Sequence, residues 1–237
     1  MKLVIIAAGM GSRLWEIHRD TPKTLMPYQD GTLLSHILAN FYSVGISEFV
    51  LIVGYMAQSI VDYCKTQFPE SYRFEFVHNP DWQKPNGISV YMARSCVMEQ
   101  DFLISMSDHL VSPGGLSAII RTPADSNRLL VDQAIGDVFD LDDATKVKTE
   151  GTRIVEIGKT IPEYNGIDCG VFKLTHRFFS AMEDQIRQGK ESLSNGVQAL
   201  IARDDFGAEF LPAGNRWVDV DTPEAYRYAG QHPEWYR

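Results

Sequence analysis

A short stretch near the start of the chain combines small residues with positive charges, as a site for phosphate groups requires. Gly9 and Gly11 follow directly after the apolar run of residues 3–8. Small residues allow the backbone to approach a ligand closely, and successive N–H groups in such a turn form an anion-binding concavity. Arg13 and Lys23 supply full positive charges nearby. The pattern therefore predicts a phosphate-binding turn.

The spacing of these residues excludes the two commonest nucleotide-binding motifs. A dinucleotide fingerprint needs a third small residue where Leu14 stands, and no P-loop pattern G-x-x-x-x-G-K-[ST] occurs in the sequence. An NAD-dependent oxidoreductase is therefore disfavoured. A plain turn between a strand and a helix would explain the glycines alone, but it would not explain Arg13 together with Pro22-Lys23.

Three acidic residues form a candidate site for a divalent cation. Asp108 comes soon after the apolar run of residues 102–106, so we expect its carboxylate at the carboxyl end of a strand. Asp219 and Asp221 are two positions apart, and on a strand both side chains would point to one face. Oxygen ligands of this kind suit Mg²⁺. A turn or capping role would explain each acid alone, but their combination with the glycine turn favours a metal site.

Binding of a nucleoside triphosphate would need both the basic residues and a divalent cation, because of its negative charge. A nucleoside triphosphate carries about four negative charges, whereas a helix N-terminus offers about half of one positive charge. Two like charges about 4 Å apart cost about 4 kcal/mol at an effective dielectric constant near 20, so three carboxylates would repel a triphosphate. We therefore expect Arg13, Lys23 and Mg²⁺ to act on the same triphosphate.

The elements that must position these residues follow from the apolar pattern of the first half of the chain. Buried strands are predicted at residues 3–8, 49–53 and 74–77, and helices are predicted around residues 33–41 and 60–64. Right-handed crossovers give a parallel sheet whose strands end on one side, where ligands bind in such folds. The sequence thus predicts an α/β, Rossmann-like fold with a mixed, mostly parallel sheet flanked by helices.

The second half of the chain predicts a strand at residues 129–134 and a hairpin that joins residues 146–148 to residues 154–157. Amphipathic helices are expected at residues 178–186 and 197–202. The length of 237 residues suits one domain. We expect a nucleotide-binding half and an acceptor-binding half within it, namely residues 1–112 and residues 113–237.

Several short motifs resemble those of one enzyme family. The pattern A-A-G-x-G-S-R-L followed by T-P-K resembles the signature of nucleotidyltransferases that make nucleoside-diphosphate sugars and alcohols. The motifs M-S-D-H, T-K, I-G-K, I-D-C-G and V-D-V-D-T resemble the CTP:inositol-1-phosphate cytidylyltransferase group, over nearly the whole chain. The resemblance implies Mg²⁺-dependent transfer of CMP from CTP to myo-inositol 1-phosphate. The products would be pyrophosphate and CDP-inositol, a phospholipid precursor.

The resemblance also implies roles for particular residues. The nucleotide would contact Ala7, Ala8, Gly9, Gly11, Ser12, Arg13, Asn86, Gly87, Ser89 and Asp108. The acceptor would contact Lys159, Lys146, Asp168 and His109, with Lys159 the first choice for the acceptor phosphate. Arg13, Lys23 and Lys159 would be catalytic, and the metal would be held by Asp108, Asp219 and Asp221.

Simpler explanations stay open for some of these residues. Asn86-Gly87 would form a loop that reads the base, with Ser89 starting the next helix, or it would be a β-turn followed by a helix cap. Asp168 would bind acceptor hydroxyls or would be a turn residue. Lys159 would meet a phosphate or would be a solvated lysine at a strand end.

The composition limits the partners of the protein. The 22 basic and 31 acidic residues give a net charge of −9, which excludes non-specific nucleic-acid binding. Cys64, Cys96 and Cys169 are widely spaced, so neither a disulfide framework nor a zinc site is indicated. The apolar start is too short for a signal peptide, and no run suits a membrane span. We expect a cytoplasmic protein, and a homodimer stays open as its assembly.

Other functions remain open at this point. A choline-phosphate or phosphonate cytidylyltransferase is one, because the K-x-N-G loop also resembles those enzymes, and a sugar-1-phosphate nucleotidyltransferase that uses another nucleotide is a second. A nucleotide-binding module without catalysis is a third. A phosphomonoester acceptor is largely dianionic at neutral pH because its second pKa is about 6, so the transfer would need no general base.

Overall fold

The computed structural model describes residues 1–17, 19–98 and 100–237, in which no helix is long and apolar enough to span a bilayer. The strands are β1 (Lys2–Ala7), β2 (Pro27–Tyr28), β3 (Gly31–Thr32), β4 (Glu48–Val53), β5 (Arg73–His78), β6 (Phe102–Met106), β7 (His109–Val111), β8 (Arg128–Asp132), β9 (Lys146–Glu150), β10 (Arg153–Gly158), β11 (Gly166–Leu174), β12 (Gly207–Phe210) and β13 (Trp217–Asp219). The α-helices are α1 (Leu33–Ser43), α2 (Ala57–Gln67), α3 (Asn86–Met92), α4 (Arg94–Val97), α5 (Pro113–Ile120), α6 (Arg177–Ile186), α7 (Leu193–Ile201) and α8 (Pro223–Gln231).

Nine strands form one mixed sheet in the order β5-β4-β1-β6-β11-β8-β12-β10-β9. β5, β4, β1 and β6 are parallel neighbours, as the alternation of strands and helices predicts. β8 and β12 form a further parallel pair, whereas β11 runs antiparallel to β6 and β8, and β10 runs antiparallel to β9. A tight turn such as the one between β9 and β10 permits only antiparallel pairing. The predicted mixed α/β fold is confirmed.

Helices cover both faces of the sheet, which explains the unbroken apolar run in β1. Leu3 and Ile5 belong to one buried cluster, together with α1, while Val4 belongs to a second cluster, together with α6 and α7. All three side chains are fully buried. Because successive side chains of a strand point to opposite faces, only a strand covered on both sides is apolar at every position.

The helix after β5 begins earlier than the sequence predicts. We expected Ser89 to start it, but α3 begins at Asn86, so Asn86 and Gly87 form its first turn instead of a loop. A Cβ atom on Gly87 would lie 2.5 Å from the Glu191 carbonyl oxygen and 2.6 Å from the Met182 methyl group. Gly87 therefore allows α3 to pack against the segment that leads into α7.

Candidate active site

A cavity of about 370 Å³ lies at the carboxyl ends of β1 and β6, and both halves of the chain line it. The predicted site residues that line it are Gly9, Gly11, Lys23, Asn86, Asp108, His109, Lys159, Asp168, Asp219 and Asp221. The predicted residues outside this lining are Ala7, Ala8, Ser12, Arg13, Gly87, Ser89 and Lys146. Parallel strands that end at one edge of the sheet bring these distant segments together.

The glycine turn has the backbone that its sequence requires. Gly11 has a φ of +67°, and a Cβ atom there would lie 2.6 Å from Cβ of Lys23. Glycine is needed for both reasons, because other residues rarely adopt a positive φ and none would fit beside Lys23. Ser12–Leu14 continues as a single 3₁₀ turn, so no α-helix dipole follows the glycines directly. Positive charge at the turn must therefore come mainly from side chains.

Lys23 lies at the centre of the cavity wall. Its buried ammonium group donates to Asp108 Oδ2 at 2.6 Å and also to Asp221 Oδ1. Burial alone would lower the pKa of Lys23, but the nearby carboxylates of Asp108 and Asp221 outweigh burial and raise the pKa. Lys23 is therefore a cation held by two acids that lie far apart in the sequence.

Asp108 and Asp219 are brought together by the two-stranded ribbon of β7 and β13. The register of the ribbon pairs His109 with Asp219, and the Val220 amide donates to the Asp108 carbonyl oxygen at 2.9 Å. His109 Nδ1 lies 2.7 Å from Asp108 Oδ1 and 3.7 Å from Asp219 Oδ1. This ribbon brings the segment after β6 next to the segment that leads into α8.

Burial and neighbouring charges both shift the pKa values of His109, Asp219 and Asp108. Burial would lower the pKa of His109, but the carboxylates of Asp219 and Asp108 outweigh it and raise the pKa to about 9. Burial raises the pKa of Asp219 to about 6, although His109 opposes the shift. Burial would also raise the pKa of Asp108, but Lys23 and His109 hold it below its usual value. At neutral pH His109 is a cation between two acids.

One carboxylate oxygen in this group lacks a hydrogen-bond partner. Asp219 Oδ1 is buried and accepts no hydrogen bond in the described part of the chain. Ligand atoms of Asp108, His109 and Asp219 all lie within 4.8 Å of one another, so these side chains would hold one metal ion once His109 had lost its proton. The predicted trio had Asp221 in place of His109, but here the Asp221 carboxylate pairs with Lys23 and Arg13. A buried oxygen that accepts no hydrogen bond, beside a second carboxylate, fits a hard divalent cation.

Arg13 reaches the cavity through two carboxylates. Its guanidinium donates to Asp221 Oδ2 and, at 2.7 Å, to Asp143 Oδ2. Asp143 Oδ1 in turn accepts from Lys159 Nζ at 2.7 Å. Asp143 was missed by the sequence analysis. The only signal was the cluster of acids in D-L-D-D just before Thr145, and such clusters are common in turns.

These contacts join into one ion-pair series in which positive and negative side chains alternate across the cavity. From the end of β10 to the end of β6, its members are Lys159, Asp143, Arg13, Asp221, Lys23 and Asp108. Residues from both halves of the chain take part. The series therefore links the glycine turn to the hairpin of β9 and β10.

The wall opposite the glycine turn is built from β11 and β13. Asp168 Oδ1 accepts from the Gly170 amide at 2.7 Å, and burial raises the pKa of Asp168 to about 6. A Cβ atom on Gly170, whose φ is +75°, would lie 2.3 Å from the His109 ring. Trp217 stacks on that ring, with 5.9 Å between the centroids. A glycine and an indole therefore both pack against His109.

Lys146 does not reach the cavity, although the sequence made it the second candidate for the acceptor phosphate. Its side chain is buried, and its ammonium group donates to the Asp142 carbonyl oxygen at 2.8 Å. On β9 the residue lies one position from Thr145, which does line the cavity. Successive residues of an extended segment point in opposite directions, so a lysine next to a cavity residue points away from the cavity.

Three of the predicted nucleotide residues make hydrogen bonds that hold neighbouring segments in place. Ala8 carbonyl oxygen accepts from the Tyr55 amide at 2.9 Å, which holds the end of β1 against the next turn. Ser89 is buried and its hydroxyl accepts from Asn79 Nδ2 at 2.9 Å. Asn86 lines the cavity, but its Oδ1 accepts from the Leu193 amide at 3.0 Å and so joins α3 to the start of α7.

A glycine turn with basic residues, facing carboxylates at the ends of sheet strands, defines a nucleotide-binding α/β protein built to handle phosphate groups. The chain belongs to the nucleotidyl transferase family, whose model matches residues 2–234. This confirms the family that the motifs indicated.

Several known proteins are similar to the chain. A "bifunctional IPC transferase and DIPP synthase" of Rubrobacter xylanophilus is 30% identical over 94% of this chain, which covers 50% of that protein. The chain thus spans about half the length of such bifunctional relatives. A CTP:phosphoglutamine cytidylyltransferase of Campylobacter jejuni is 26% identical over 93% of this chain and 96% of its own length. The inositol-1-phosphate CTP transferase structure from T. maritima matches with a TM-score of 0.82 at 26% identity, covering 94% of this chain and 90% of that one.

Proposed function

We propose that the protein is a Mg²⁺-dependent cytidylyltransferase that transfers CMP from CTP to myo-inositol 1-phosphate, giving CDP-inositol and pyrophosphate. The observation that carries the proposal is the ion-pair series, which sets donor-side cations and acceptor-side Lys159 along one cavity. The names of the relatives support CTP as the donor, since one is an inositol-1-phosphate CTP transferase and another is a CTP:phosphoglutamine cytidylyltransferase.

The charges of the cavity favour a divalent cation as a partner of the reaction. Six carboxylates line it, against two lysines, and they belong to Asp108, Asp140, Asp143, Asp168, Asp219 and Asp221. Such a surface would repel a triphosphate without a counter-ion. Nucleotidyltransferases generally use divalent metal ions. We assign Mg²⁺ to Asp108 and Asp219, and to Asp221 where the ion would displace Lys23 from that carboxylate. There the ion would neutralise charge on the phosphate oxygens.

The chain's own residues would then bind and orient the two substrates. Arg13 and Lys23 would hold the triphosphate against the glycine turn, and Lys159 would hold the acceptor phosphate. An oxygen of that phosphate would attack the α-phosphorus in line, forming a new P–O bond while the bond to the β-phosphate oxygen breaks and pyrophosphate leaves. Positioning and electrostatic stabilisation are sufficient for such a transfer, because the acceptor arrives already deprotonated.

The acceptor end of the cavity suits a polyhydroxyl compound better than choline phosphate. Asp168 and cationic His109 offer hydrogen-bonding groups to hydroxyls. A choline group would need a cage of aromatic rings around its cation. Three aromatic residues line the cavity, but each is already engaged: Trp217 stacks on His109, Phe139 stacks on Tyr228, and Phe172 is buried in the core.

Release of pyrophosphate tests the proposal directly. The protein is incubated with Mg²⁺, with each of four nucleoside triphosphates, and with inositol 1-phosphate, choline phosphate, a phosphonate, phosphoglutamine or a sugar 1-phosphate. We expect release with CTP and inositol 1-phosphate above every other pair. Release with another acceptor would correct the substrate. Binding of CTP without release from any pair would instead favour a nucleotide-binding module and would refute the proposed function.

A further inference from the structure

Asp143 is the member of the ion-pair series that has no place in the proposed reaction. It is neither one of the assigned metal ligands nor a group that a phosphate would attract. Yet each of its oxygens holds one cation at 2.7 Å, Arg13 on the donor side and Lys159 on the acceptor side. The hydrogen bonds from Lys159 and Arg13 hold the pKa of Asp143 below its usual value. A carboxylate that bridges two cations in this way needs an explanation.

The two cations would separate without a shared carboxylate. Arg13 and Lys159 are long side chains whose exposed fractions are 50% and 55%, so solvent competes for both. Two cations repel each other, and each side chain has many rotamers that point away from the cavity. A carboxylate that accepts from both cancels the repulsion and limits the rotamers before any substrate arrives.

We propose that Asp143 is a positioning residue that joins the donor and acceptor subsites, by holding the Arg13 guanidinium and the Lys159 ammonium at one point between them. The inference rests on the proposed function, because it takes Arg13 as a ligand of the triphosphate and Lys159 as a ligand of the acceptor phosphate. Each phosphate would bind one of these two cations, and both cations are held by one carboxylate. The two phosphates would therefore lie near each other in a limited range of orientations. In-line attack requires such a range.

The same carboxylate has an opposite effect on binding. It lies next to both phosphate-binding cations, so it partly cancels the field that attracts an anion. Attraction of an anion needs only a nearby cation, whereas attack needs an oriented one. Removing the charge of Asp143 should therefore strengthen the binding of anions and slow the reaction, a combination that a merely structural residue would not produce.

The test is Asp143→Asn, with Asp142→Asn as the matched control. Asp142 is the neighbouring residue, is exposed and does not line the cavity, so the control makes the same charge change on the same loop. We expect kcat for pyrophosphate release to fall about tenfold in Asp143→Asn, with KM for CTP and for the acceptor unchanged or lower and with Tm unchanged. Asp143→Glu, which keeps the charge, should recover part of kcat. Asp142→Asn should behave as the wild-type protein.

A binding measurement separates failure of this inference from failure of the proposed function. Inorganic pyrophosphate is titrated calorimetrically into each protein at fixed Mg²⁺, which needs no turnover. We expect its Kd to fall several-fold in Asp143→Asn and to be unchanged in Asp142→Asn. If the wild-type protein shows no turnover, the proposed function fails, and this titration alone decides the inference. An unchanged or weaker Kd in Asp143→Asn, an unchanged kcat, or a loss of kcat that accompanies a lower Tm would overturn it.

Discussion

The two ends of the ion-pair series differ in their exposure to solvent. At the buried end the Lys23, Asp108 and Asp221 side chains are 7%, 22% and 20% exposed, whereas at the exposed end those of Arg13, Asp143 and Lys159 are 50%, 38% and 55% exposed. Charges that are removed from water interact strongly and are costly to leave unpaired, while exposed pairs are screened and contribute little to stability. Changes at the buried end should therefore affect both folding and chemistry, whereas changes at the exposed end should affect chemistry alone.

Asp108→Asn should have the largest effect, because it removes charge from the buried end at the assigned metal site. We expect turnover to fall about 10³-fold, as expected when a group that stabilises the transition state is removed. Pyrophosphate release at saturating CTP and Mg²⁺ measures this. Asp30→Asn, which alters a side chain that is 86% exposed, is the control and should keep full activity. A variant at Asp108 that keeps a tenth of the turnover would contradict the assignment.

Lys23→Met should lower the free energy of unfolding by about 3 kcal/mol, because Asp108 and Asp221 would be left without their buried cation. If these acids bind Mg²⁺, the ion should replace the missing charge. Mg²⁺ should then raise Tm more in Lys23→Met than in the wild-type protein, where the ion competes with Lys23. Lys159→Met, at the exposed end, is the control and should respond to Mg²⁺ as the wild type does. Equal Mg²⁺ shifts in all three proteins would argue against a metal at this end.

Asp168→Asn should stabilise the protein in a pH-dependent manner. The pKa of Asp168 is about 6 in the folded protein and 3.8 for the free side chain, so the folded state binds more protons between these values. The cost of the buried carboxylate is absent below pH 3.8 and complete above about pH 6. We expect the variant to gain about 1–3 kcal/mol over the wild type near pH 8 and little below about pH 3.5. Urea unfolding at both pH values measures the difference, and an equal gain at both would refute the shift.

Lys159→Gln should have the smallest effect, confined to the exposed end. We expect KM for the acceptor to rise about tenfold, with Tm unchanged, because an exposed ion pair contributes little to stability. Lys146→Gln provides the matched comparison, since its ammonium group is buried on the Asp142 carbonyl oxygen. That variant should lower Tm and leave the acceptor KM unchanged. If the two variants exchange these effects, the acceptor phosphate lies elsewhere.

Much of the fold could be predicted because it depends on local patterns. The apolar runs of β1, β4, β5 and β6 and the helical spacing of α1 reflect the period of each element, and all of them occur. Thr222 and Pro223 begin α8 as cap and first residue, as their types suggest. The early start of α3 was not predicted, because it depends on how Gly87 packs against the distant α7 segment.

The site could be predicted where the types and spacing of its residues indicate a chemical role. Gly9, Gly11, Lys23 and Asp108 were found because glycines, a lysine and a strand-end carboxylate lie in short motifs. Asp143 was not found, because an acid in an acidic turn carries no pattern until its partners are known. Lys146 and Lys159 could not be ranked with certainty from type alone, since the direction of each side chain depends on its strand.

By itself, the sequence determined the family, the order of strands and helices, and the types of residue that would surround a phosphate. Only the tertiary structure decided which charges meet. Arg13 lies 130 positions from Asp143 and 208 from Asp221, and Lys23 lies 198 from Asp221. Such contacts form only after the sheet and the ribbon of β7 and β13 have brought distant segments together. Local patterns reflect a few neighbouring residues, whereas an ion pair depends on the whole path of the chain between its partners.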